Sequence, residues 1–181
     1  MPAVRLKIFV SSVQKEFLQI RKDLKSFLLG DAVLRRYVSE VFLFEDLPAI
    51  DRRTDEAYLE EVANCDVYLG IFGNEYGYDD KEGLSPTERE YLCATKNHKV
   101  RLIYVWGLDD KKRADKMVQL IQKAGNELIR RRVSDVSALT AEVYASLVDY
   151  LDRIGALRVP PFDTSACHGA LLNDLSRKRV D

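Results

Sequence analysis

A chain of 181 residues, 46% apolar and 31% charged, can build one substantial core and is too short for two large domains. Its formal net charge of −1 gives no global attraction to nucleic acid or an anionic membrane, and no apolar run approaches the roughly 18 to 20 residues of a membrane span. Three cysteines (Cys65, Cys93, Cys167) and two histidines (His98, His168) leave little material for a disulfide framework, a multi-histidine metal site or a histidine-centred triad. The amino terminus moves straight into a strand without a signal-peptide layout. A cytoplasmic protein with no metal is therefore expected, with Cys65 and Cys93 as reduced core thiols.

Val4 to Val10 is a nearly continuous apolar run rich in β-formers, which predicts a strand covered on both faces. Ser11-Ser12 follows, and Phe17, Ile20, Leu24, Phe27 and Leu28 then share one helical face that stops at Gly30. Val41 to Phe44 predicts the second strand; the loop Glu45-Asp46-Leu47-Pro48 leads to a helix carrying Ala57, Tyr58, Val62 and Ala63. Asp66 to Phe72 is the third strand, running into the turn-rich Gly73-Asn74-Glu75-Tyr76-Gly77-Tyr78. Ser85-Pro86 reads as N-cap and first helical position, with Glu88 three residues after the cap as in a capping box, for a helix to about Lys96. Val100 to Trp106 is the fourth strand, Met117, Leu120, Ile121 and Leu128 mark the fourth helix, and a short edge strand falls between Ile129 and Val133. Leu139 to Ile154 is the last helix. Residues 1–158 thus form one α/β domain, and 159–181, opening on Pro160-Pro161, reads as a linker or the lead into a further domain.

Alternating strands and helices imply a doubly wound, mostly parallel five-stranded sheet with helices on both faces and flavodoxin-like strand order. Ligands bind such sheets beyond the carboxyl ends of the strands, where the order reverses. Three segments converge there: Ser11 and Ser12; Glu45 and Asp46; and Gly73, Asn74, Tyr76, Gly77 and Tyr78 with Ser85 to Glu90. The glycines allow close backbone approach, and Asn74, Tyr76 and Tyr78 supply hydrogen bonds and an aromatic surface. Ser11 and Ser12 either bind a ligand or cap the first helix. Glu88 and Glu90 lie about 200° apart on a helix, so only one can face the cleft. Glu88 is engaged by the cap; a glutamate such as Glu90 in a first turn ordinarily serves the helix dipole, and periodicity leaves both roles open. Trp106 reads as core, and the basic runs Arg130-Arg131-Arg132 and Arg177-Lys178-Arg179 read as solvated surface, against direct nucleic-acid binding.

The strings KIFVSSVQKEFLQIRKDL, FED, CDVYLGIFGNEYGY and GLSPTEREYLCA resemble an uncharacterised prokaryotic domain family of unknown function, of the DUF4062 type, within the TIR-like superfamily that includes nucleoside 2-deoxyribosyltransferases. The resemblance spans roughly residues 5 to 155. It implies a TIR-like fold and a pocket for a nucleoside or nucleotide, NAD included, with no further cofactor required. In active relatives a glutamate on the helix after the third strand acts at the anomeric carbon of the ribose, four residues before an alanine; Glu90 stands four before Ala94, so the role falls on Glu90. Arg21 matches a basic position that recurs in the family. Glu45 and Asp46 are the stand-ins for the transferases' further acidic residues, whereas Asp66, at the amino end of its strand, lies far from the cleft. The reading that follows is a nucleotide-recognising sensor or effector module in which Glu90 cleaves an N-glycosidic bond of NAD or a nucleoside. Its rival is a non-catalytic signalling or self-association module at the head of a larger regulatory or ATPase-like protein. A receiver-like regulator is disfavoured, because Ser11-Ser12 occupies the place where clustered acids would stand.

Overall fold

A computed structural model describes residues 4–47 and 54–157, with only the backbone at 54–57. Pro48, the side chain of Ala57, Cys167, His168, the second basic run and the stretch 159–181 lie outside the described residues. The elements run β1 (Leu6–Ser12), α1 (Gln14–Gly30), β2 (Val38–Phe42), α2 (Thr54–Asn64), β3 (Val67–Phe72), α3 (Pro86–Lys96), β4 (Val100–Trp106), α4 (Asp115–Glu127), β5 (Arg131–Val133) and α5 (Val136–Arg153). They build one parallel five-stranded sheet in the order β2-β1-β3-β4-β5, the flavodoxin-like arrangement.

The two faces of the sheet carry separate apolar layers. Ile8, Val10, Leu69 and Ile71 point to the side covered by α1 and α5, where Phe17, Leu24, Leu28, Leu139, Val143, Leu147 and Leu151 meet them. Phe9, Tyr68, Phe72, Ile103 and Val105 point to the other side, against Tyr58, Val62, Tyr91, Ala94, Met117 and Leu120 of α2, α3 and α4. The alternation follows from the two-residue strand repeat. β1 and β3 are buried along almost their whole length, so both faces of each strand contribute, at about 1.5 to 3 kcal/mol for each large apolar side chain.

Boundaries differ from the sequence reading where apolarity and pairing part company. β2 begins at Val38, three residues before the expected start, because the exposed Ser39 and Glu40 interrupt the apolar run at this edge strand; Phe44 to Asp46 instead form a 3₁₀ turn. β1 extends through Ser11 and Ser12, which are buried strand residues. The N-cap of α1 is Val13, without a side-chain cap, so neither serine caps the helix. α5 starts at Val136 behind an Asp135 cap whose carboxylate accepts from the Ala138 amide at 2.9 Å. Cys65 is buried as expected, Cys93 only partly. Trp106 is partly buried and meets Phe17 edge-on at 5.7 Å, while Arg131 and Arg132 pair with Glu142 and Asp110.

Candidate active site

β1 and β3 lie side by side at the point where strand order reverses, with Ser11 opposite Gly70 and Ser12 opposite Ile71. Beyond these residues the chain leaves β1 for one face of the sheet through α1 and leaves β3 for the other through α3, which opens a crevice between the two turns. A cavity of about 210 Å³ occupies it, lined by Ser12 at the end of β1, Val13 after it, Phe44 after β2, Gly77 and Tyr78 after β3, and Gln14, Arg21, Tyr58, Pro86, Thr87 and Glu90 from the helices.

Glu90 is 7% exposed and its carboxylate accepts a short hydrogen bond from the Ser11 hydroxyl. Burial pushes its carboxyl up to about 7; the Ser11 hydrogen bond and the positive charge of Arg21 oppose the rise, and Glu45 adds to it. Close to this pair lies Tyr68, whose buried hydroxyl meets no partner at hydrogen-bond geometry among the described residues, although the Ser11 hydroxyl is near enough to temper its electrostatics. Burial, with Glu90 nearby, holds that phenol well above its ordinary range.

Arg21, another lining residue, is held in an ion pair. Arg21 Nε donates to Glu45 Oε1 at 2.9 Å and Nη2 to Glu45 Oε2 at 2.8 Å, while Nη1 reaches the Ser12 hydroxyl at 3.1 Å. Both side chains of this bidentate pair are almost wholly enclosed, so the geometry is of the kind that retains its strength out of water.

The loop from β3 to α3 is fixed from outside the cavity. The Glu16 carboxylate accepts from the amides of Asn74 at 2.8 Å and Glu75 at 3.1 Å and lies so close to Gly73 that a Cβ there would collide with it. The fully buried Arg113 guanidinium donates to the carbonyls of Phe72, Gly73 and Trp106, tying together the ends of β3 and β4. Farther along, Asp80 pairs with Arg89, and Lys116 pairs with Asp79. Gly77 sits at φ +92°, a conformation that favours glycine, and this turn brings Tyr78, 78% exposed, to the mouth of the cavity.

The start of α3 departs from a reciprocal capping box. Ser85 Oγ accepts from the Glu88 amide at 3.2 Å, as expected, but the Glu88 carboxylate does not return to Ser85. It accepts from the Tyr76 hydroxyl at 2.5 Å, and the Tyr76 oxygen in turn accepts from the Ser85 amide at 3.2 Å. Tyr76 therefore closes the cap, and Lys123 approaches Glu88 from the other side at 3.3 Å.

Of the residues singled out in the sequence, Ser12, Arg21, Gly77, Tyr78 and Glu90 line the cavity. Ser11 and Glu45 stand behind it, bonded to Glu90 and Arg21 respectively. Gly73, Asn74, Tyr76 and Ser85 do not line it: the first two are held by Glu16 and Arg113, and the last two close the helix cap. Asp46 turns away to Lys25 at 2.6 Å beside a separate depression. Asp66 accepts from the Lys7 amide at the opposite edge of the sheet. Sequence reasoning missed Val13, Gln14, Phe44 and Tyr58 as lining residues, and nothing in their spacing signals the role. Thr87, one turn before Glu90, falls within the Ser85 to Glu90 segment expected at the crevice without being singled out there.

A family model for DUF4062, a domain of unknown function, matches residues 7–148. The chain belongs to the DUF4062 family. No curated protein matches the sequence. Among solved structures, this DUF4062 domain resembles the Clostridium botulinum CMP N-glycosidase BcmB at 12% identity, over 77% of this chain and 98% of that one, with a TM-score of 0.48. That likeness is one of general outline and carries nothing about the site. No described helix is long and apolar enough to cross a membrane.

Chemically, the cavity joins an enclosed carboxyl that titrates near neutrality, a hydroxyl that fixes its orientation, a neutralised guanidinium and an exposed aromatic ring at the entrance. A carboxyl so poised exists in both protonation states at neutral pH and is suited to proton transfer or, when ionised, to attack on or stabilisation of an electron-poor carbon.

Proposed function

We propose that this DUF4062 domain recognises a nucleoside or nucleotide, NAD among the alternatives, and that Glu90 cleaves its N-glycosidic bond. The observation that carries the reading is the Glu90 carboxyl, enclosed at the strand-order reversal and raised to about 7 by burial. Keeping an acid there disfavours its ionised form, and such costs concentrate at sites of chemistry. The cavity's size suits one sugar ring: a cavity of about 150 Å³ takes benzene, and this one measures about 210 Å³, so the base lies at the mouth, where Tyr78 offers a stacking face.

In this mechanism the bond between the anomeric carbon and the base nitrogen breaks, and its electron pair leaves with the base. The ionised Glu90 stabilises the resulting oxocarbenium-like cation or bonds to its anomeric carbon, and water completes hydrolysis, supplying a hydroxyl to the sugar and a proton to the products. Ser11 holds the carboxylate oxygen in place, which is the part a positioning hydroxyl plays at a preorganised site.

A second reading, a binding module without turnover, draws support from the single carboxylate among the described lining residues, since sugar hydrolases ordinarily use two. One experiment separates them: incubation of the purified protein with NAD, NADP and common nucleosides, with free base followed by chromatography. Release of base supports the enzyme; ligand binding without release leaves the sensor.

A further inference from the structure

Arg21 lines the cavity together with Glu90, and Glu45 stands behind it as its ion-pair partner. We infer that Glu45 is a specificity-determining residue, cancelling the Arg21 charge so that the site takes an uncharged nucleoside in preference to its 5′-monophosphate. This rests on the nucleoside reading above and narrows its substrate class.

A free buried guanidinium is a natural phosphate receptor, because its planar fork matches two phosphate oxygens. Here that fork is already filled. Nε and Nη2 engage the two Glu45 oxygens, and Nη1 engages Ser12. A phosphate would have to displace a carboxylate held at 2.8 and 2.9 Å and would enter beside Glu90, so it would meet two like charges in a poorly hydrated space. The surrounding charges follow the same pattern: Glu16, in the first turn of α1, bonds the Asn74 and Glu75 amides, while Lys25 and Lys116 are paired with Asp46 and Asp79. Sugar hydroxyls, by contrast, can accept from and donate to this set without disturbing the pair.

The test is calorimetric binding of common nucleosides and their 5′-monophosphates to the wild type, to Glu45→Gln and to the double variant Arg21→Gln/Glu45→Gln, each checked for folding by circular dichroism. In the wild type the nucleoside that binds is expected to do so on the order of tenfold more tightly than its monophosphate, the value of one charge-assisted contact. Glu45→Gln frees the guanidinium and should move the ratio toward the monophosphate by a similar factor; the double variant should restore the nucleoside preference. Inorganic phosphate should raise the melting temperature of Glu45→Gln and not that of the wild type. The wild-type ratio needs no variant, so it decides even where Glu45→Gln does not fold. A monophosphate bound by the wild type as tightly as its nucleoside, or a ratio unmoved in folded Glu45→Gln, overturns the role given to Glu45 alone. Failure of every nucleoside and monophosphate to bind any of the folded proteins overturns this inference, whereas the ligand reading falls only if NAD and NADP also fail to bind the wild type.

Discussion

Replacing Glu90 by Gln should stabilise the domain above neutral pH while leaving its stability near pH 4.5 almost unchanged. In the folded state the carboxyl is raised from 4.5 to about 7 by burial. Because the folded state holds the proton more tightly than the unfolded chain, the protonated form favours folding; that contribution is complete below 4.5 and is lost as pH rises through about 7. The difference between the two values corresponds to about 3 kcal/mol. Glutamine keeps the size and the acceptor for Ser11 and does not ionise, so the variant's stability lacks this term, and groups elsewhere, common to both proteins, cancel in the comparison. At about 2 to 4 °C per kcal/mol for a domain of this size, the variant should melt on the order of 6 to 12 °C above the wild type at pH 8.5, the gap closing steadily toward pH 5. Urea unfolding at half-unit pH intervals measures it. Stability curves that run parallel from pH 5 to 8.5 would refute the burial argument and leave Glu90 an ordinary solvated carboxylate.

Tyr76→Phe removes the hydroxyl that links the Ser85 amide to Glu88, and it should cost about 1 to 3 kcal/mol in chemical denaturation, because it leaves the buried Ser85 amide without its acceptor; a loss below a few tenths would show that the bridge contributes nothing. Gly73→Ala pushes the Glu16 carboxylate off the Asn74 and Glu75 amides and should destabilise by about 0.5 to 1.5 kcal/mol, and the double variant with Glu16→Ala should lose less than the sum of the two single losses; additive losses would contradict the contact.

The alternation of apolar strands with amphipathic helices was sufficient to read all five strands in chain order and the doubly wound arrangement, since parallel strands need helical crossovers. It failed where a strand is not apolar throughout: Ser39 and Glu40 of β2 face solvent at the sheet edge, so the strand's first half carried no signal. The site was legible in position but less so in membership. Glu90 was reached through helical spacing and family resemblance, and Arg21 through resemblance alone, with no hint from either that Arg21 would be buried. The glycine-rich loop suggested ligand contact for Gly73 and Asn74, yet these are reserved by Glu16, 58 residues before Asn74 in the chain. Arg113 is the sharper case: nothing in its polar stretch singles it out, and only the fold shows the carbonyls of Phe72, Gly73 and Trp106 converging on its guanidinium. Long-range hydrogen bonds of this kind have no periodicity to betray them.

The central claim, that Glu90 does chemistry at an N-glycosidic bond, is tested most directly by measuring base release and ligand affinity side by side for the wild type and Glu90→Gln. The account predicts wild-type turnover with at least one nucleoside or dinucleotide, kcat/KM rising with pH through about 7 as Glu90 ionises, and a rate lower by on the order of a hundredfold or more in the variant with affinity largely kept. Turnover that survives intact in folded Glu90→Gln would contradict it.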